Sequence, residues 1–136
     1  MAKSNATEAD VLKFLLRGEA PAYFSGTNVF FALHTQPLAD NANASTNEAS
    51  YPNYARVSYA KANFTLNANN EMENTQQILF PQAGTGANQT IRAISITTAA
   101  TGASQILYYV NLANPIQVVE NASVFIPVGG LKISED

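Results

Sequence analysis

At 136 residues the chain suits one domain with a single continuous core. Its net charge is −3, and its seven cations (Lys3, Lys13, Arg17, Arg56, Lys61, Arg92, Lys132) are scattered, so no basic surface is built for a nucleic acid. Cysteine is absent, which excludes a disulfide framework and thiolate metal sites. Charged residues make up only 12%, about half the usual share, and Asn, Gln, Ser and Thr supply the polarity instead. Such a surface suits a protein packed against neighbours better than a solvated cytosolic enzyme. Glu8 and Asp10 interrupt any long apolar run near the start, so neither a signal peptide nor a membrane span is expected.

Thr7 to Arg17 reads as a short amphipathic helix, capped by Thr7 with Asp10 in the capping-box position and stopped by Gly18. Val11, Leu12, Leu15 and Leu16 fall on one face with Phe14 beside them. A helix this short needs a surface to dock on, whether its own sheet or a neighbouring subunit. The helix and the segment Ala20 to Gly26 are therefore taken as an attachment element, residues 1–26, ahead of a domain over 27–136.

Thr27 to His34 is a strand rich in aromatic and β-branched residues, and Gln36 to Ser50 is a long polar loop expected to be mobile. Tyr54 to Tyr59 alternates, with Tyr54, Arg56 and Ser58 on one face. Asn63 to Leu66 follows, then an Asn/Glu turn region over 67–74, then Gln77 to Phe80 ended by Pro81. Thr90 to Thr97 and Gln105 to Asn111 are strands about a small-residue turn. Ile116 to Val119 and Ser123 to Val128 read as a hairpin across Glu120-Asn121, and Leu131 to Ser134 closes the chain. Eight or nine short strands at this spacing predict a mainly β fold, an antiparallel sandwich of Greek-key or jelly-roll type with one N-terminal helix.

Few residues could carry chemistry. His34 is the only histidine and ends an apolar strand, where a side chain bonded to a loop carbonyl is expected rather than a general base. Asp40, Glu48 and nearby Asn carbonyls offer oxygens that calcium could take, but their spacing matches no calcium loop, and no cofactor is expected. Glu71 and Glu73 in an Asn-rich turn read as solvated acids rather than a glycosidase pair. Arg56 is the charge of most interest: a partly buried pair with Glu48 would tie the long loop to the sheet. Tyr23, Phe24, Tyr51, Tyr54, Tyr59, Tyr108 and Tyr109 could stack on sugars, but cross-strand packing explains most of them, leaving Tyr23 and Tyr51 as the contact residues.

Several pieces, in order, carry a resemblance. They are L-L-R-G at the helix end, V-F-F-A-L-H-T over 29–35, N-E-A-S over 47–50 and Y-A-R-V over 54–57. I-L-F-P-Q-A over 78–83, I-R-A-I-S-I over 91–96, T-G-A-S-Q-I-L-Y-Y over 101–109, N-P-I-Q-V over 114–118 and G-G-L-K-I over 129–133 complete the set. Together they resemble small phage proteins labelled tail fibre proteins, almost end to end. The chain departs from that pattern in being Gly-poor and Asn-rich over 41–50 and 67–75. The resemblance implies a non-enzymatic structural protein, made in the host cytoplasm and carried on the virion. It would bind other virion proteins as a tail or tail-fibre component or as a capsid decoration (cement) protein. Val11, Leu12, Leu15, Leu16, Tyr23 and Tyr51 are the partner-binding candidates, Arg56 and Glu48 the structural tie. A homo-oligomer is expected, because virion proteins are repeated and an edge strand needs covering. A receptor- or glycan-binding module for host attachment is the alternative.

Overall fold

The computed structural model describes residues 1–135 and is mainly β, with every sheet antiparallel. Five strands form the principal sheet: β1 (Ala2–Lys3), β2 (Asn28–His34), β3 (Val57–Ala60), β7 (Asn88–Thr97) and β8 (Ile106–Val119), in the order β1-β8-β7-β2-β3. A three-stranded sheet of β4 (Phe64–Leu66), β5 (Met72–Asn74) and β10 (Lys132–Ile133) and a pair of β6 (Ile78–Leu79) with β9 (Phe125–Ile126) make up the rest. The larger core cluster draws on the principal sheet and on both smaller ones, a sandwich-like arrangement whose second layer is split into two pieces.

The middle strands explain the near-continuous apolar run of β2, because a strand covered on both faces has no wet side to mark with polar residues. Val29, Phe31 and Leu33 face the main core with Ile94 and Ile96 of β7 opposite them. Ala32 and His34 point to the reverse face with Ala93, Ser95 and Thr97, and these too are buried. Part of what covers that face is a second cluster of Leu38, Ala93, Ile106 and Tyr109.

Helix α1 (Asn5–Arg17) begins three residues before the expected start. Ser4, not Thr7, is its cap, accepting from the Thr7 amide at 3.3 Å. The reason is tertiary: both hydroxyls turn to the Ile106 carbonyl of β8, Thr7 at 2.9 Å and Ser4 closer still. Gly18 ends the helix at φ 69°, the left-handed stop expected of it.

Four other expectations are corrected. Gln105 to Asn111 and Ile116 to Val119 are one strand, β8, in which residues 112–115 bulge against the single residue Arg92 of β7. Pro115 sits in that bulge, where its missing N–H breaks no ladder bond. Residues 116–119 pair with β7 and not with 123–128. The chain leaves the sheet through Asn121, at φ 67°, whose amide reaches the Ala83 carbonyl at 2.9 Å, and β9 joins β6 in the other layer. The region 67–74 is a turn followed by a strand, since β5 pairs with β4 and β10. Tyr54 to Arg56 precede β3 and lie outside it.

The Asn-rich, Gly-poor character has a local cause. Asn47, Asn53, Asn70 and Asn121 all take positive φ, the left-handed turn conformation that glycine would otherwise supply.

Candidate functional site

The stretch 36–50 is fastened along its length, contrary to the expected mobility. The Thr35 amide reaches the Asn47 carbonyl and the Ala49 amide the Leu33 carbonyl, both at 2.8 Å. The Asn111 amide side chain clamps Leu38, accepting from its N–H at 2.8 Å and donating to its carbonyl at 3.0 Å. Polar residues of the stretch are turn-makers: Asn43 Oδ1 accepts from the Ser45 amide at 2.9 Å, and Thr46 Oγ1 from the Asn43 amide at 3.1 Å. Leu38, Ala44 and Ala49 are buried beneath.

Arg56 is the hub of this fastening. Its Nε donates to Glu48 Oε2 at 2.7 Å and its Nη2 to Oε1 at 2.9 Å, a two-pronged pair. Nη1 and Nη2 also donate to the carbonyls of Ala99 and Gly102 at 3.0 and 2.6 Å, and Nη1 to Ser104 Oγ at 3.2 Å. The Arg56 side chain is 2% exposed and that of Glu48 20%. One guanidinium thus joins the 36–50 stretch to the β7–β8 turn. Burial alone would raise the Glu48 carboxyl, but the bonds from Arg56 and from Tyr54 Oη (2.8 Å) hold it below the ordinary carboxylate value.

Beside the hub, His34 is wholly buried, with Nδ1 2.8 Å from the Thr46 carbonyl and Nε2 2.8 Å from Ser95 Oγ. The loop carbonyl fixes the proton on Nδ1, so Nε2 accepts from the serine hydroxyl. Burial holds the imidazole pKa below its ordinary value, partly offset by the Thr46 carbonyl and by Glu48. By distance the His34–Ser95 pair resembles a base with its nucleophile. Both residues are fully buried, and the second ring nitrogen meets a backbone carbonyl where a triad has a carboxylate. The pair is buried within the principal sheet.

The two acids of the former turn are also in use. Glu73 lies in β5 and pairs with Lys132 at 2.9 Å, and Asn67 Nδ2 bonds Glu71 at 3.2 Å and Glu73 at 3.3 Å. Asp40 accepts from the Tyr109 hydroxyl, while Glu48 is held by Arg56.

The aromatic candidates part company. Tyr51 is corrected outright: at 4% exposure it lies in the main core, its ring edge-on to Tyr54, and no contact surface is left to it. Tyr23 is half-buried between α1 and β8 and donates to Asp10 Oδ2 at 3.1 Å; burial and that carboxylate push its pKa up to about 12. Tyr51, Tyr59 and Tyr109 are buried and Tyr23, Tyr54 and Tyr108 partly so.

On α1, Val11, Phe14 and Leu15 line a cleft of about 220 Å³ with Phe24, Leu107 and Tyr108. Leu12, Leu15 and Leu16 are 59, 70 and 79% exposed. The sheet therefore takes only one side of the apolar arc, and the other side is open. Next to it, a larger apolar cavity of about 360 Å³ lies between the principal sheet (Val29, Ile96) and the three-stranded sheet (Phe64, Leu66, Met72, Ile133). Among the described residues no helix is long and apolar enough to cross a membrane.

A family model described as podophage GP4 fiber I protein gp80 matches residues 2–134. The chain belongs to that family. No curated protein matches it. Membership makes it a phage fibre structural protein, and the match takes in α1 as well as the sandwich. Within this fibre protein, two features stand out: a rigid Arg56 hub under the loops and a helix with an uncovered apolar stripe. The sequence reading missed Asn74, which is 1% exposed and has both amide atoms engaged. Its Nδ2 donates to the Gln76 and Pro127 carbonyls at 2.8 and 3.0 Å, and its Oδ1 accepts from the Leu131 amide at 3.0 Å. Nothing in its Asn-rich surroundings sets it apart from its solvated neighbours.

Proposed function

We propose that this protein is a non-enzymatic component of the phage particle that binds other virion proteins through residues 1–26, with α1 as the attachment element. The observation that carries the reading is the open stripe of Leu12, Leu15 and Leu16 on a helix capped and docked at its other side. A charge-poor, tightly fastened sandwich is a suitable body for such a role, because its polar groups are spent on internal bonds and not aimed into a cleft. The hydrogen-bonded state of His34, Glu48, Glu71 and Glu73 supports the non-enzymatic part. Family membership favours a tail-fibre position over capsid decoration.

Copy number per particle, measured by quantitative mass spectrometry of purified virions, tests this. A small multiple per tail is expected. Hundreds of copies would reassign the protein to the capsid surface, and absence from the particle would refute the proposal. The burial of Tyr51, Tyr59 and Tyr109 weighs against the receptor- or glycan-binding alternative.

A further inference from the structure

The three-stranded sheet is amphipathic, and the space over its apolar side is not filled. Thr65, Glu73 and Lys132 stand opposite one another in its ladder, and so do Leu66, Met72 and Ile133. Paired residues share a face and successive residues alternate, so one face carries a polar row and the other an apolar row. Leu66, Met72 and Ile133 all line the cavity of about 360 Å³, across from Val29, Ile96 and Leu107 of the principal sheet. Packed layers ordinarily interdigitate and leave few voids larger than a water molecule. Here the two walls stand apart, and Leu66 and Met72 keep 60 and 38% exposure. A space of this size falls at the small end of the range for ligand sites.

Two charged side chains line the same space, and they differ in what answers them. The Glu135 carboxylate already accepts from Lys3 Nζ at 2.7 and 2.8 Å and from the Tyr108 hydroxyl at 3.0 Å. The Lys61 ammonium donates to the Tyr23 and Phe24 carbonyls at 2.7 and 3.3 Å, which fixes its place and leaves one hydrogen over. Among the described residues it pairs with no carboxylate. A peptide laid between these walls would bring N–H and C=O groups that apolar side chains cannot satisfy. A saturated hydrocarbon chain brings none, and a carboxylate at its end would meet Lys61 in a charge-assisted bond. The small volume suits one such chain and not a two-chained lipid.

We infer that the space between the two sheets binds a linear alkyl carboxylate, its chain along Leu66, Met72 and Ile133 and its head on Lys61. This site is separate from the exposed leucines of α1 and does not depend on that helix as an attachment element.

Isothermal titration calorimetry of the purified full chain with sodium hexanoate, octanoate and decanoate tests it, and methyl NMR locates the bound chain. Saturable binding is expected, tightening roughly tenfold for every two methylenes added. Lys61→Met keeps the stem and removes the charge, so it should weaken octanoate about fivefold and leave 1-octanol unchanged. Met72→Trp fills the space and should abolish saturation; if circular dichroism shows it misfolded, Leu66→Trp takes its place. Octanoate should shift the methyl signals of Val29, Ile96 and Ile133 and leave those of Val11 and Leu16 in place. Flotation with phosphatidylglycerol vesicles separates a free carboxylate from a membrane surface, and the protein should stay with the soluble fraction. No saturation by decanoate, an affinity indifferent to chain length, octanol bound as tightly as octanoate, or shifts confined to the α1 cleft would overturn the inference. So would vesicle binding without octanoate binding.

Discussion

Replacing Arg56 by alanine removes every link between the 36–50 stretch and the β7–β8 turn that passes through the guanidinium. The side chain is 2% exposed and donates to Glu48, Ser104 and the carbonyls of Ala99 and Gly102. Its loss leaves a largely covered carboxylate uncompensated and backbone acceptors without donors. Breaking one partner of a buried pair costs about 3 to 5 kcal/mol. Glu48 retains 20% exposure and can turn to water, so the low end, about 3 kcal/mol, applies here. For a domain of this size that corresponds to a melting temperature lower by roughly 10 °C. Salt should change little, because a covered pair is poorly screened. Glu48→Ala in the Arg56→Ala background should restore part of the loss by removing the stranded charge, and Arg56→Lys should fail to replace a two-pronged donor. Thermal denaturation and limited proteolysis within 36–50 are the assays. A melting temperature within about 2 °C of wild type, together with unchanged cleavage, would show that the hub holds nothing and would refute the reasoning.

Three further outcomes are expected. His34 has a depressed pKa, so the folded protein resists a proton that the unfolded chain accepts. Its contribution is complete above the unfolded value of 6.5 and declines as pH falls below it; melting curves from pH 7 to 5 should show this slope, and His34→Gln should flatten it. Asn74→Ala strands the Leu131 amide and two carbonyls in a covered site and should cost about 2 to 4 kcal/mol by denaturant titration, whereas a loss below about 1 would show that water replaces the side chain. Tyr51→Phe removes a buried hydroxyl that has no partner among the described residues, and should be neutral or stabilising by up to about 1 kcal/mol in the same titration. A loss of more than about 1 kcal/mol would reveal a bond made by that hydroxyl.

Local chemistry alone settled the strand-rich fold, the stop at Gly18, the sites of β2 and β7, and His34 as a side chain bonded to a loop carbonyl. These follow from side-chain shape and spacing within a few residues. The approach of Glu48 to Arg56 was also legible, because eight residues of chain and one alternating segment restrict where the two charges can go. Tertiary structure decided the rest. The Ile106 carbonyl moved the helix start from Thr7 to Ser4, the Ala83–Asn121 contact sent residues 123–128 to another layer, and burial withdrew Tyr51 from the surface. Each depends on groups far apart in sequence, and an isolated stretch of chain holds no record of the distant carbonyl or core that will meet it. The same holds for α1. Its sequence showed an apolar face in need of a partner, and only the packed molecule revealed that Val11, Phe14 and Leu15 line a cleft against the sheet while Leu12 and Leu16 stand exposed beside it.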